Sequence, residues 1–258
     1  MNSLQFHVIG LVMLLLFLPI AAHAADPCKT ISASDILSIP EPAVIVLGER
    51  FGSRVELARA SRVIKGLAKK STGGVTLATE RVHFDHQKAF DQFSTNGFST
   101  STLEQDLNWG AETPVSFKPY GRLFKQAAVH ANLIAAGPNM TAPTNDVQPP
   151  VPAVYPALVS SVVAQDQLTF GMDNRISRIL AYWDYQVAMR ALHQWDGKGY
   201  LVIMTERARS EGGGGVPWQV SHEGSHTAYS FLLSWADSYC EEGDNVWAKV
   251  PLLHTMGL

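Results

Sequence analysis

Two short apolar runs bracket one amphipathic segment, and this pattern constrains the fold more than any other feature of the chain. Residues 43–48 (AVIVLG) and 75–79 are rich in β-branched and small apolar residues. Such runs read as strands buried on both faces. Between them, Ser53-Arg54-Val55-Glu56 has the spacing of a capping box, in which the Ser and Glu side chains satisfy orphan amides reciprocally. Leu57, Ala60, Ile64, Leu67 and Ala68 then recur at helical spacing until Gly73-Gly74. Strand, helix and strand in this length is a βαβ unit, with parallel strands and a right-handed crossover. A third buried run, residues 200–204 (YLVIM), follows a long helical pattern over 174–194. The expected fold is α/β, a mostly parallel central sheet flanked by helices.

Between Glu80 and Gly137 there is no strand signal. Residues 83–93, a second capping box at Ser101-Thr102-Leu103-Glu104, and residues 122–135 all read as helical. This span predicts a helical cap subdomain at about 83–137. Five prolines between Met140 and Pro156 predict an extended Pro-rich loop at 140–156. Asn139-Met140-Thr141 is a glycosylation sequon, meaningful only in a eukaryotic cell. Residues 212–215 read as a flexible glycine loop and 227–239 as a final helix. The expected organisation is residues 1–24 as a targeting segment, 25–42 as an N-terminal segment, 43–220 as the α/β domain and 221–258 as a C-terminal helical extension.

Glu49 and Glu80 each fall at the end of a buried strand. In open α/β sheets, ligands bind just outside the carboxyl ends of the strands. If the two strands were neighbours, about 4.8 Å apart, the carboxylates would repel unless a proton, a cation or an arginine neutralised them. Arg50 and Arg81 follow directly. The alternative is that both are helix caps or ion-pair partners. His83, His86 and Phe90 stand at i, i+3 and i+7. On a helix they would form one stripe of two imidazoles and a phenyl, suited to a flat, apolar, metal-bearing ligand such as haem. Otherwise they are surface residues of a helix start.

His222-Glu223-Gly224-Ser225-His226 fits the H-E-x-x-H zinc pattern, which needs a helix to aim both imidazoles the same way. Gly224, Ser225 and the preceding glycines are poor helix formers, and a third ligand would have to come from a residue such as Glu241 or Glu242. Tyr182 and Tyr185 flank Trp183; such aromatics are mostly core, and a tyrosinate is also an iron ligand. Residues 212–215 lead to Val216-Pro217 rather than to a recognisable helix, so they do not read as a phosphate loop.

An ordered set of these residues resembles the ChaN-type domain of the haem-binding uptake and Tiki superfamily. The set is VIVLGE at 44–49, TLATE at 76–80, Gln87, Phe90-Asp91-Gln92-Phe93, Gly97, Asn108-Trp109, Tyr120, Trp183-Asp184, Val187-Ala188-Met189 and Gly215-Val216-Pro217. The resemblance implies a sheet with a helical cap and an exported bacterial protein linked to haem or iron acquisition. The family usually has a His shortly after the first Glu and a Gly-x-x-His after the last strand. Here Arg50-Phe51-Gly52 and Thr205-Glu206-Arg207 stand in those places.

The function expected is a non-enzymatic haem-binding or iron-uptake accessory protein. Glu49 and Glu80 would line the cleft floor, His83 or His86 would offer an axial ligand, and Tyr185 is a further candidate. Two alternatives stand beside it. One is a metal-dependent hydrolase using the Glu pair, or zinc at His222, Glu223 and His226. The other is a degenerate member of the fold that binds a protein partner. A homodimer or a haem-transport partner is compatible with the first reading. A net charge of -3 excludes the strongly basic surface of a nucleic-acid binder, and 46% hydrophobic residues exclude a disordered chain.

Residues 1–24 contain no Lys, Arg, Asp or Glu, and residues 8–20 are almost wholly apolar. Ala22-His23-Ala24 has the small-x-small pattern of a signal-peptidase site. Residues 6–25 are alternatively just long enough for an uncleaved anchor. Cleavage predicts an exported protein, periplasmic or secreted, with no membrane segment left. Cys28 and Cys240 then either pair in an oxidising compartment or stay as thiols. Intact-mass measurement of the exported protein is expected to give a chain beginning at Ala25; a mass retaining residues 1–24 would overturn this.

Overall fold

The computed structural model describes residues 29–113, 115–138, 149, 151, 172–224, 226–233 and 245–247. The targeting segment, Cys28, Cys240, the sequon and nearly all of the Pro-rich loop lie outside the described residues. In chain order the elements are β1 (Lys29–Thr30), α1 (Ala33–Leu37), β2 (Ala43–Glu49), α2 (Arg54–Lys70) and β3 (Val75–His83). A short 3-10 turn (Phe84–His86) leads to α3 (Gln87–Thr95), α4 (Thr100–Asp106), α5 (Trp109–Glu112), α6 (Phe117–Ala128) and β4 (Asn132–Gly137). Then come α7 (Met172–Gln194), β5 (Tyr200–Glu206), α8 (Gly215–His222), β6 (Ala228–Leu232) and β7 (Asn245–Val246). The strands form one sheet in the order β1-β7-β6-β2-β5-β3-β4, and every described pairing is parallel. The expected α/β fold is therefore the observed one.

Strand alternation builds two cores. Ile45, Leu47, Leu77, Val202 and Met204 face the front, where α2, α3 and α6 supply Leu57, Ile64, Phe90, Leu123 and Phe124. Val44, Val46, Ala78, Leu201 and Ile203 face the back, against Val187, Ala188 and Ala191 of α7 and Val216 and Val220 of α8. Each fully buried side chain of this size stabilises the fold by roughly 1.5–3 kcal/mol. This two-sided burial explains why the strands read as unbroken apolar runs.

Five sequence expectations change. Residues 132–137 are strand β4, not helix: α6 ends at Ala128, where the amides of His130 and Ala131 both turn back to the Ala127 carbonyl. A six-residue apolar run carries no period that separates buried strand from helix. The helix at 83–93 begins only at Gln87, because β3 runs on to His83. The second capping box is displaced: Ser99, not Ser101, caps α4. Residues 228–232 are strand β6 rather than the start of a final helix, and the glycine stretch does lead into a helix, α8. Pro217 is tolerated there because the first helical turn needs no intrahelical amide donor.

The direction of winding places a crevice. The chain leaves β2 and β3 toward front helices α2 and α3, but leaves β5 toward back helix α8. The loops after β2 and β5 therefore diverge at adjacent strands, which opens a gap at the carboxyl edge. Gly48 sits at this edge. A Cβ there would collide with Ser210 Oγ and come within 2.9 Å of Leu232. Gly48→Ala is expected to destabilise the fold by roughly 1–3 kcal/mol through overpacking, read as a lower urea midpoint at unchanged slope.

Candidate functional site

The rim of the sheet holds a buried cluster of charge. Glu49, the last residue of β2, is 1% exposed. It shares the front-face parity of Ile45 and Leu47, so it points toward α6. There Tyr120 donates its hydroxyl to Glu49 Oε1 at 2.5 Å and accepts the Gly52 amide at 3.1 Å. Trp109 and Phe124 pack around the Tyr120 ring, at 5.1 and 6.2 Å between centroids. Arg81 Nε reaches the same Oε1 at 3.2 Å. Oε2 of Glu49 is buried with no hydrogen-bond partner. Burial pushes the Glu49 carboxyl up to about 7, against the opposing pull of Tyr120 and Arg81. The same burial, with Glu49 beside it, pushes the Tyr120 phenol up as well.

Glu49 and Glu80 are not neighbours, because β5 lies between their strands. Glu80 has the back-face parity of Ala78. Thr205 Oγ1 donates to it at 2.6 Å, the Glu206 amide at 2.8 Å, and Arg209 stands 3.6 Å away, itself bonded to Asp184 of α7 at 3.1 Å. Arg81 links the two faces, with its guanidinium 3.6 Å from Glu80 and 3.2 Å from Glu49. Arg50, the other expected partner, is occupied elsewhere. Its amide and Nε both bond the buried Glu56, at 2.6 and 3.0 Å. The capping box at Ser53 is thus half made: Ser53 accepts the Glu56 amide, while the Glu56 carboxylate holds the turn after β2 instead.

The carboxylate that does stand beside Glu49 is Glu206. Parallel pairing places Glu49 directly opposite Glu206 on β5, and Arg81 lies 3.7 Å from the Glu206 carboxylate. The sequence signal was present, since Glu206 follows the apolar run of its strand just as Glu49 and Glu80 follow theirs. Above this pair is a cleft of about 470 Å³. Glu49, Arg50 and Phe51 line one side, and Glu206, Arg207, Ala208 and Glu211 the other. It occupies the gap set by the diverging loops.

The expected histidine stripe does not form as one helical face. Phe90 is 1% exposed and packs on Phe124 in the front core. His83 ends the strand, and His86 closes the following turn. Their rings are still near each other, with centroids 6.5 Å apart. The His83 ring packs on Phe84 at 4.3 Å, Arg190 of α7 lies over Phe84 at 5.2 Å, and Asp85 is 3.4 Å from His83 Nδ1. Tyr185 is half-buried on α7, and no described contact joins it to the other four candidates.

The zinc motif is not a helical pair. Helix α8 ends at His222, and Glu223 is its C-cap. His222 stacks on Trp218 and meets Glu223 at 3.1 Å, while His226 packs on Trp195. Gly224 is needed where the chain turns, because a Cβ would run into Leu192 and the Val220 carbonyl. Among the described residues, no three His, Cys, Asp or Glu side chains converge as a metal site.

The raised Glu49 carboxyl has a definite sign for stability. A carboxyl whose folded value lies above its unfolded value stabilises fully at pH below the unfolded value, here 4.5, and loses that contribution as pH rises through about 7. Relative to Glu49→Gln, the wild-type protein is expected to lose up to about 3 kcal/mol between those limits. Urea melts of both proteins across that range check it. Tyr120→Phe removes a donor from a buried carboxyl and is expected to cost about 1–3 kcal/mol, measured by the same melts near pH 8.

A model of the family described as haem-binding uptake, Tiki superfamily, ChaN matches residues 37–145. Among solved structures, that of ChaN of Campylobacter jejuni, described for cofacial haem binding, aligns with a TM-score of 0.64. The alignment covers 83% of this chain and 89% of that one at 16% identity, a likeness of fold. The type III effector HopBA1 aligns at a TM-score of 0.41 and 14% identity, over 65% of this chain and 68% of that one. No curated protein matches the chain in sequence. The matched residues contain β2, β3 and the helices over the front face, and over this stretch the chain resembles the ChaN family in sequence and fold.

Proposed function

We propose that the protein is an exported haem-binding accessory of iron uptake, with the haem site at the carboxyl end of β3. The observation that carries this reading is the setting of His83. Asp85 stands 3.4 Å from Nδ1. The Asp85 amide donates to that Nδ1 at 3.4 Å, which holds the ring in place and leaves Nε2 as the nitrogen available to a ligand. Phe84 and His86 extend an aromatic wall beside it. Arg190 lies over that wall, and its buried Nε has no hydrogen-bond partner. A porphyrin carboxylate is the kind of acceptor such a donor lacks. The residues present therefore fit haem better than zinc, which would need a converging ligand set.

Haem would bring the iron and the macrocycle. The chain's part is to hold and orient them: His83 or His86 as axial ligand, Phe84 as the wall, Arg190 as the anchor for a carboxylate. Glu49 and Glu80 then serve as the charged framework of the neighbouring rim rather than as iron ligands. The ChaN-like domain and its haem-binding relative support the ligand class, and the charge-free apolar N-terminus supports export. Titration of the purified domain with haem is expected to give a saturable Soret band. His83→Ala should shift that band or weaken binding about tenfold or more, as loss of an axial ligand or its support does. Stoichiometric zinc uptake with no haem spectrum would overturn the reading.

A further inference from the structure

We propose that the cleft between the loops after β2 and β5 binds an organic cation, an ammonium or guanidinium group on an alkyl stem, held by Glu49 and Glu206. This site is separate from the histidines at the end of β3. Among the described residues, Glu49, Glu80, Glu206 and Asp184 are joined through Arg81 and Arg209. Arg50 and Arg207, at the rim of the cleft, pair with Glu56 and Glu211. Of the four carboxyl groups, Glu49 and Glu206 line the cleft. The Glu206 side chain is 41% exposed, and its ion-pair contact among the described residues is Arg81 at 3.7 Å.

The second observation is independent of charge counting. Glu49 lines the cleft, is 1% exposed, and keeps one oxygen with no donor. No group of the chain bonds that oxygen, so a ligand donor entering the cleft finds it as an acceptor once the carboxyl gives up its proton. Opposed across neighbouring strands, Glu49 and Glu206 form a two-carboxylate mouth that a forked guanidinium or a three-donor ammonium can bridge. A divalent metal fits less well, since no third ligating side chain converges among the described residues. An anion meets two carboxylates. The cleft volume of about 470 Å³ suits a small molecule or one long side chain. Phe51, 42% exposed at the mouth, and Ala208 give the apolar wall along which an alkyl stem packs.

Binding also exchanges charge. Glu49 holds its proton near neutral pH. An entering cation favours the carboxylate, so the proton leaves to solvent as the cation takes its place.

The test is calorimetric titration of the full chain at pH 6.5 with agmatine and, separately, with a capped Gly-Arg-Gly peptide. Saturable binding is expected, with a heat that depends on the buffer's ionisation enthalpy because a proton is released. Glu206→Gln, a change at an exposed position, should weaken it about tenfold or more. Glu49→Gln should weaken it and abolish the buffer dependence. Tighter binding of agmatine assigns a free small molecule; tighter binding of the peptide assigns a basic side chain of another protein. No saturation at millimolar concentration, equal affinity in Glu206→Gln, equal binding of neutral n-butanol, or displacement by stoichiometric Mn²⁺ would each overturn the proposal. A Soret titration on the same preparation reports on haem independently, so a protein that binds haem and ignores agmatine sinks this inference alone.

Discussion

One guanidinium holds the functional rim together. Arg81 is 11% exposed at its side chain and lies within 3.2–3.7 Å of Glu49, Glu80 and Glu206, with Phe51 stacked at 3.6 Å from its ring centre. A buried charge is tolerated only when paired and hydrogen-bonded. Arg81 is paired with three carboxylates, although its Nη2 makes no hydrogen bond, and those carboxylates share one cation. Each is then settled by a different device. Glu80 takes a second arginine, a threonine hydroxyl and a backbone amide. Glu206 stays partly in water. Glu49, dry on the front face, takes the Tyr120 hydroxyl and keeps a proton near neutrality.

Glu49 keeps the front-face parity of β2 and Thr205 the back-face parity of β5. At the end of β3, where the register shifts between Thr79 and His83, Arg81 reaches Glu49 while Glu80 reaches Thr205 and Arg209. That pairing carries the rim through the sheet, from Tyr120 on α6 to Asp184 on α7. Elements on both faces are thereby tied to the same few atoms at the carboxyl edge.

Much of this was legible before any coordinates. The βαβ unit, the strand at 200–204 and the long helix ending at Gln194 follow from apolar period and length. The two Glu positions followed from the strand-end rule. What the sequence hid has physical causes. Strand β4 is too short and too evenly apolar to show a period, and β6 is a five-residue run, AYSFL, in which Ser230 is half-buried and no period is legible. Sheet order is invisible in one dimension, so β5 between β2 and β3 could not be foreseen, and the carboxylate beside Glu49 was sought on the wrong strand. The histidine stripe does not form for a related reason: β3 runs past Glu80 to His83 and a 3-10 turn follows, so the helical period starts only at Gln87.

The departures from the ChaN-like pattern now have a structural meaning. Where the family usually has an imidazole after the first strand, this chain has Arg50, locked to Glu56, and Phe51, stacked on Arg81. Where it tends to have one after the last strand, Glu206 faces the cleft and Arg207 binds Glu211. Soft, neutral nitrogen donors are thus replaced by paired charges at both edges of the gap. Paired charges cannot ligate a metal without breaking their own ion pairs, each of which is partly or fully desolvated. The imidazoles of His83 and His86 stand together at the end of β3, with Asp85 beside His83 Nδ1. The gap itself keeps Glu49 and Glu206 opposed across neighbouring strands, and this pair is what a cationic guest would meet.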